Sequence, residues 1–204
     1  MMKLYVSPAS PFGRKAAVLI AELGLGDRVV QEPATVSPIT RNAELARGNP
    51  LAKIPTLVMD DGSALFDSPV ICEYLDQLAG SPRFFPSAGP TKWSALRRQA
   101  LADGLMDAAI LLRYEIAMRP EAMRWPEWIA GQQGKMIAAI DAMESEVDAF
   151  GSGFDIGHVT CACALGYLDL RFGNLKWREG RSKLAAWFEK VNARPSMVST
   201  TPHA

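Results

Sequence analysis

The stretch KLYVSPASPFGRK, residues 3–15, decides the fold because it passes from a strand into a helix within a few residues. The apolar Leu4 and Val6 alternate with more polar neighbours, which is typical of a strand. Ser10 is a favoured N-cap residue, and Pro11 suits the first position of a helix. The Ser10 hydroxyl is therefore expected at a helix N-terminus, where unpaired N–H groups and the dipole attract anions. Taken alone, the pattern fits simple helix capping better than an anion site.

Strands and helices continue to alternate after this stretch. Residues 28–31 are a candidate strand, and the apolar spacing of residues 39–47 predicts a helix. Two short strands flank the turn DDG at residues 60–62, which is a strong signal for a hairpin. Ser68 and Pro69 then begin another helix. The predicted order is βαβαββα, which is an α/β arrangement.

The composition changes beyond this α/β part. Gly, Ser and Pro are frequent over residues 80–90, which predicts a linker with turns. No convincing strand follows, and helical spacing predicts an all-α bundle over residues 91–204. The α/β domain is accordingly assigned to residues 1–79. The helices of the second domain are predicted at residues 92–118, 132–150, 156–171 and 182–192.

Composition argues against several classes of protein. Lys+Arg and Asp+Glu number 22 each, so the net charge is zero and no surface for nucleic acid or anionic membranes is indicated. The longest uncharged apolar stretch, residues 159–168, is far shorter than the roughly 20 residues of a membrane helix. The N-terminus does not resemble a signal peptide. We therefore expect a cytoplasmic protein that does not bind membranes.

The cysteines give no sign of redox or metal chemistry. The chain has three, Cys72, Cys161 and Cys163, and they form no CxxC pair, so neither a disulfide framework nor a dithiol centre is expected. Cys161 and Cys163 have no His or Cys neighbours at the spacing of zinc ligands. We interpret all three as packing residues and expect no metal site.

Three motifs in order identify a family resemblance. They are SPFGRK at residues 10–15, NPLAKIP at 49–55 and DSPVI at 67–71. Together they resemble the glutathione S-transferase family, and the segments 103–104 and 166–169 extend the resemblance over essentially the whole chain. The resemblance implies a thioredoxin-like first domain, an all-α second domain and glutathione as co-substrate.

The resemblance gives Ser10 a catalytic role. In the family, the residue at this position donates a hydrogen bond to the glutathione sulfur, which favours the charged form of the thiol. Conjugation needs this form because the thiolate is the nucleophile. Relatives that reduce disulfides carry Cys at the position of Ser10, so serine here favours conjugation.

The other two motifs imply contacts with the rest of the glutathione peptide. A cis bond between Ile54 and Pro55 would leave the Ile54 backbone free to pair with the cysteinyl residue, and Lys53 would meet the glycyl end. Ser68 and the N–H groups beside it would bind the γ-glutamyl carboxylate, and Asp67 its amine. Each residue also has a simpler interpretation, namely an ordinary turn, a solvated lysine or a helix cap.

The resemblance also makes predictions for the helical domain. Asp103 matches an aspartate that reaches into the partner subunit's glutathione site, which implies a homodimer; a surface or inter-helix charge is the alternative. The family usually carries Ser/Thr-x-x-Asp before its central helix, whereas this chain has Asp155-Ile-Gly-His158. The cap is thus expected to be weakened, or His158 to find another partner. The pocket for the second substrate is predicted between the domains, at Ala9, Phe12, Met106, Ile110 and Arg113.

The function implied is a detoxifying transferase that joins the glutathione thiolate to small hydrophobic electrophiles. Two alternatives remain open from the sequence. One is a glutathione-dependent isomerase or dehalogenase that uses the same thiolate. The other is a non-catalytic glutathione-binding or regulatory protein with the same fold.

Overall fold

The computed structural model describes residues 1–203, and its N-terminal part is built on a four-stranded mixed sheet. Strand β1 (Met2–Val6) lies between β2 (Val29–Pro33), to which it is parallel, and β3 (Thr56–Val58), to which it is antiparallel. Strand β4 (Ala64–Leu65) completes the predicted hairpin with β3. The strand order β2-β1-β3-β4 makes β1 a central strand, so the chain leaves the middle of the sheet directly into the first helix.

Three helices accompany this sheet: α1 (Pro11–Leu23), α2 (Leu45–Gly48) and α3 (Ser68–Leu78). The predicted βαβαββα order is confirmed. Helix α1 ends at Gly24, whose φ of 65° lies in the left-handed region that favours glycine.

Helix α2 is much shorter than the predicted helix over residues 39–47. Side chains before it bond to the local backbone and compete with helix formation. The Ser37 hydroxyl accepts a hydrogen bond from the Ile39 N–H, and Asn42 Oδ1 accepts from the N–H groups of Glu44 and Leu45. Asn42 therefore delays the start of the helix until Leu45.

The C-terminal part is helical, and the predicted absence of further strands is confirmed for residues 80–203. Its central pair is α4 (Gly89–Ala117) and α6 (Ile156–Arg171), with α5 (Pro126–Glu146) packed against α4. Helix α7 (Ser182–Asn192) and the short α8 (Pro195–Ser199) follow. The bounds of α6 and α7 are as predicted. Helix α5 begins earlier, because Pro126 suits a first helical position, and α8 was not predicted.

Helix α6 is the centre of the core, and nearly all its residues are buried. Cys161 and Cys163 lie inside it, and Cys72 is buried on α3. All three thiols are free, and burial raises the pKa of Cys72 and Cys161 to about 12 and that of Cys163 to about 11. They are packing residues, as interpreted from the sequence. No helix among residues 1–203 is both long enough and apolar enough to cross a membrane.

An imidazole replaces the missing carboxylate at the start of α6. Asp155 Oδ1 accepts a hydrogen bond from the His158 N–H at 3.1 Å. His158 Nδ1 lies 3.1 Å from the Asp155 backbone nitrogen and 2.7 Å from Asp155 Oδ1, which closes the capping box. Burial works to raise the pKa of Asp155, but His158 and Arg98 outweigh it, so this pKa lies below its ordinary value. His158 therefore has a partner, Asp155, which is one of the two outcomes expected from the sequence.

We predict that the charge of Asp155 stabilises the fold only above the acid range. Asp155→Asn keeps an acceptor for the helix N–H but loses the charge, so its unfolding free energy should be about 1 kcal/mol lower at neutral pH, allowing for screening by solvent. Because the folded pKa lies below 3.8, the contribution is complete above that pH and is lost as pH falls through the folded pKa. Urea unfolding at a series of pH values measures the gap.

The control is Asp27→Asn, which removes a carboxylate from an exposed loop. Its unfolding free energy should stay close to that of the unchanged protein at every pH. A gap for Asp155→Asn that is the same at about pH 7 and about pH 3 would show that the charge has no part in the cap.

Candidate active site at the start of the first helix

Ser10 caps α1 and still has a proton to donate. Its Oγ accepts a hydrogen bond from the Gly13 N–H at 3.1 Å, so capping uses one of its lone pairs. Within residues 1–203 the hydroxyl has no acceptor of its own, and the side chain is half-buried. A Cβ on Gly13 would lie 3.1 Å from Val6 Cγ1, so this glycine lets α1 start close against β1. The hydroxyl can therefore donate to a ligand at the positive end of α1.

Hydrogen bonds from Asn49 and Thr56 hold the loop before β3. The Ile54–Pro55 bond is cis, which the sequence alone could not decide. Asn49 Nδ2 donates to the Lys53 carbonyl at 3.1 Å and to Thr56 Oγ1 at 2.9 Å, and Thr56 Oγ1 donates to the same carbonyl at 2.8 Å. Among the described residues, the Ile54 N–H and C=O have no hydrogen-bond partner. The loop therefore presents a free donor and a free acceptor on a fixed backbone.

A buried lysine stands behind the start of α3. The Lys15 side chain is fully buried, and its Nζ donates to Ser68 Oγ at 3.1 Å and to Asp103 Oδ1 at 2.6 Å. Ser68 is only 2% exposed, whereas Asp67 beside it is exposed. Since Ser68 accepts from Lys15, its own proton is available to a ligand at the helix N-terminus. Lys15 thus links α1, α3 and α4 at one point.

Carboxylates gather around this lysine. Burial raises the pKa of Asp103, although Lys15 acts to lower it. Burial also raises the pKa of Asp107, with Lys53 opposing the shift and Asp67 adding to it. The structure therefore brings the predicted residues Lys53, Asp67 and Asp103 into one charged neighbourhood. In residues 1–203 no group of three or more His, Cys, Asp or Glu side chains is placed to hold a metal ion.

Sequence reasoning missed two members of this neighbourhood, Lys15 and Asp107. In the sequence, Lys15 stands out only as the last residue of the SPFGRK motif. The signal that could have found it is its position in α1, where it precedes the apolar run 16–20 and must be buried with it. A buried lysine requires an anionic partner, which would have directed attention to Asp103. Asp107 lies one helical turn after Asp103, so it shares that face of α4.

The residues predicted to bind the second substrate divide into two groups. Met106 offers no surface to a ligand in this structure, because its side chain is 0% exposed and packs in the hydrophobic core. The other four residues are half-buried and retain some accessible surface: Ala9, Phe12, Ile110 and Arg113.

Comparison with known proteins points to one family over both parts of the chain. The family model "Glutathione S-transferase, N-terminal domain" matches residues 9–78, and the model of the C-terminal domain matches residues 126–190. The "Uncharacterized GST-like protein YibF" of Escherichia coli K12 is 32% identical over 204 residues, which is 98% of each chain.

Solved structures show the same relationship. A glutathione transferase family member from Pseudomonas fluorescens Pf-5, with bound glutathione, matches over 100% of both chains with a TM-score of 0.97 and 42% identity. A second structure from that source, with bound S-(propanoic acid)-glutathione, matches with a TM-score of 0.92 and 41% identity over the same coverage. A glutathione S-transferase from Methylobacillus flagellatus KT, with glutathione bound, is 33% identical with a TM-score of 0.88, again over 100% of both chains.

We predict that Lys15 and Asp103 stabilise the fold as a pair. Lys15→Met leaves a buried carboxylate without its cation, which should lower the unfolding free energy by about 3 kcal/mol. The double variant Lys15→Met/Asp103→Asn removes both charges and should recover part of the loss. Urea unfolding of the two single variants and the double variant gives the coupling between the two side chains. Additive losses would show that the 2.6 Å contact contributes no coupling.

Proposed function

The chain belongs to the glutathione S-transferase family, and we propose that it joins the glutathione thiolate to small hydrophobic electrophiles. The observation that carries this proposal is the Ser10 hydroxyl, whose lone pair is used by the Gly13 N–H and whose proton is not used within residues 1–203. A hydroxyl in this state can cap the helix and donate to a sulfur at the same time.

The proposed role of Ser10 is to stabilise the thiolate. The glutathione thiol has an ordinary pKa of about 8.5, so most of it is protonated at neutral pH. A hydrogen bond from Ser10 and the positive end of α1 both favour the charged sulfur and lower that pKa. The serine acts as a donor and never as the attacking group. The sulfur then attacks the electrophile, and the leaving group departs with the bonding electron pair.

The proposed binding of the peptide uses the other two motifs. The free N–H and C=O of Ile54 would pair with the cysteinyl residue of glutathione as an added strand. The Ser68 hydroxyl and the first N–H groups of α3 would bind the γ-glutamyl carboxylate, and Asp67 its amine. Lys53, which is exposed, would meet the glycyl carboxylate. The buried Lys15 adds a positive charge behind Ser68 and fixes its hydroxyl.

We also propose a homodimer in the cytoplasm. Asp103 uses Oδ1 for Lys15, while Oδ2 makes no hydrogen bond within residues 1–203 and is available to a glutathione in the partner subunit. The three unpaired thiols fit a compartment in which thiols stay reduced. Sedimentation of the protein and of Asp103→Ala, each with glutathione, tests whether the dimer forms and whether this carboxylate contributes to binding.

We predict that Ser10→Ala raises the pKa of bound glutathione by about 1–2 units and slows conjugation about ten- to a hundredfold, since a hydrogen bond to a charged group is lost. The thiolate absorbance of the complex across a pH series gives the pKa, and 1-chloro-2,4-dinitrobenzene gives the rate. Ser10→Thr keeps the hydroxyl and should stay close to the unchanged protein. Ser7→Ala, in the turn before Ser10, is the control, and equal effects of Ser7→Ala and Ser10→Ala would contradict the assigned role.

We predict that Ser10→Cys forms a mixed disulfide with glutathione. Attack of the new thiolate on oxidised glutathione would form one S–S bond, break another and release one glutathione thiolate. Mass spectrometry of the intact variant should show the added peptide, and reductant should remove it. The buried Cys72, Cys161 and Cys163 should remain unmodified in the same sample. If the variant gains no such adduct, residue 10 does not face the sulfur.

Calorimetry with glutathione distinguishes the proposed function from a protein that keeps the fold without the ligand. We expect binding at millimolar concentrations or below, because three separate backbone and side-chain groups are free to receive the peptide. Absence of binding would favour a regulatory role. Product analysis with haloalkane and isomerisable substrates separates conjugation from the two other thiolate reactions.

A further inference from the structure

Two buried side chains hold the peptide unit that carries the free Ile54 N–H. Asn49, before the loop, is 1% exposed, and Thr56, after it, is 0% exposed. The carbonyl oxygen of Lys53 accepts from Asn49 Nδ2 at 3.1 Å and from Thr56 Oγ1 at 2.8 Å. Both lone pairs of this oxygen are thereby used by buried groups of the protein.

The geometry of the peptide bond fixes the direction of the N–H. The Lys53 carbonyl and the Ile54 N–H belong to one planar unit, and because this bond is trans, the two groups point in opposite directions. Since the carbonyl is directed at Asn49 and Thr56, the N–H is directed away from them. It has no hydrogen-bond partner within residues 1–203, and Ile54 is half-buried. The two side chains therefore determine where this donor points.

The same bonds make the N–H a stronger donor. Hydrogen bonds to a peptide carbonyl polarise the peptide unit, and hydrogen bonds in a chain strengthen one another. Here the chain runs from Asn49 Nδ2 to Thr56 Oγ1 at 2.9 Å, and from that hydroxyl to the Lys53 carbonyl. It ends at the Ile54 N–H of the same peptide unit. Because Asn49 and Thr56 are buried, water does not compete for these bonds.

Asn49 uses each of its polar groups on this loop and the turn that enters it. Its backbone N–H donates to the Leu45 carbonyl at 2.9 Å, and its carbonyl accepts from the Ala52 N–H at 2.8 Å. Its side-chain Oδ1 accepts from the Leu51 N–H at 3.0 Å, while Nδ2 makes the two bonds described above. The whole residue therefore acts as a brace for the segment that ends at Ile54.

The backbone within this segment is strained. Ala52 has a φ of 51°, in the left-handed region that a residue other than glycine rarely adopts. Such a conformation persists only where the surrounding structure maintains it, and it is typical of segments that hold ligands. The bonds made by Asn49 supply this support on both sides of Ala52.

We propose that Asn49 and Thr56 are positioning residues for glutathione, which aim and polarise the Ile54 N–H that binds the carbonyl of its cysteinyl residue. This inference rests on the proposed function for its ligand. The contact is with the peptide backbone, which does not change during the reaction at sulfur. The pair therefore contributes equally to binding in the ground state and in the transition state, so its loss raises KM and leaves kcat unchanged.

The test compares two substitutions at Thr56. Thr56→Val keeps the branched shape and removes the hydroxyl, whereas Thr56→Ser keeps the hydroxyl. Calorimetry should show that Thr56→Val binds glutathione about three- to tenfold more weakly, the range for the net contribution of one hydrogen bond. The KM for glutathione should rise by the same factor, with kcat and the thiol pKa of the complex unchanged. Thr56→Ser should bind like the unchanged protein, and equal weakening by both variants would overturn the proposal.

The matched control is Thr160→Val. Thr160 is also 0% exposed, and its hydroxyl donates to the backbone carbonyl of Ile156 at 2.7 Å, but it lies inside α6. The two Thr→Val substitutions remove equivalent bonds, so both should lower the unfolding free energy measured in urea. Only Thr56→Val should weaken glutathione binding. The same weakening in Thr160→Val would show a general effect of lost stability and contradict the positioning role.

Nuclear magnetic resonance of protein containing isotope-labelled isoleucine observes the donor itself. Ile54→Val identifies the Ile54 amide signal by its loss. With saturating glutathione, the amide proton should move downfield in the unchanged protein, because it acquires an acceptor, and by less in Thr56→Val. Asn49→Ala removes the donors of two bonds and should reduce the shift further; if this variant does not fold, the Thr56 variants decide alone. An Ile54 signal that does not respond to glutathione, or responds fully in Thr56→Val, would overturn the proposal.

Further outcomes separate the positioning role from the transferase function, because calorimetry and magnetic resonance need no turnover. Weaker binding by Thr56→Val, without conjugation of 1-chloro-2,4-dinitrobenzene by the unchanged protein, would support the positioning role and contradict the transferase function. Equal affinity of Thr56→Val and the unchanged protein, with conjugation by both, would overturn the positioning role and support the transferase. No binding of glutathione by the unchanged protein would overturn both.

Discussion

The contact between the Lys15 ammonium and the Asp103 carboxylate, 2.6 Å apart in the core, is the constraint on which the site depends. A lone ammonium in an apolar interior is too costly to persist, so Lys15 can be buried only where an anion and a second acceptor meet it. Asp103 supplies the anion from α4 and Ser68 the second acceptor from α3. Helix α1 is thereby fixed relative to both helices by one side chain. The same bond occupies a lone pair of the Ser68 oxygen and leaves its proton unused by this contact.

Two serines at helix N-termini share one hydrogen-bonding arrangement. Ser10 and Ser68 stand at the starts of α1 and α3, where unpaired N–H groups already favour anions. Each hydroxyl accepts a bond from inside the protein, from Gly13 in one case and Lys15 in the other. Each hydroxyl therefore keeps a proton that makes no hydrogen bond within residues 1–203, as the proposed ligand roles require. A serine is well suited to this position because one oxygen can accept and donate at once, whereas a carboxylate would repel a thiolate.

Features that depend on neighbouring residues could be predicted from the sequence, whereas contacts between distant residues could not. The Ser10 cap, the hairpin at residues 60–62 and the bounds of α6 rest on neighbouring residues, and the structure confirms them. The helix predicted over 39–47 failed because Asn42 bonds to the backbone in a way that apolar spacing does not register. The pairing of Lys15 with Asp103 spans 88 residues, so the residues around Lys15 indicate that it is buried but do not identify its partner. Met106 shows the same limit, because apolar spacing along α4 does not distinguish a residue of the hydrophobic core from one that lines a cleft.

Helix α4 connects the candidate site to the core of the helical part. Asp103, in the middle of α4, joins this helix to α1 through Lys15, whose ammonium also donates to Ser68 of α3. Helix α4 also packs against the buried α6, so these contacts hold Asp103 in a fixed place relative to the core. Met106, which is 0% exposed and comes three residues after Asp103, belongs to this packing, so the turn of α4 that supplies Asp103 to the candidate site is anchored in the core.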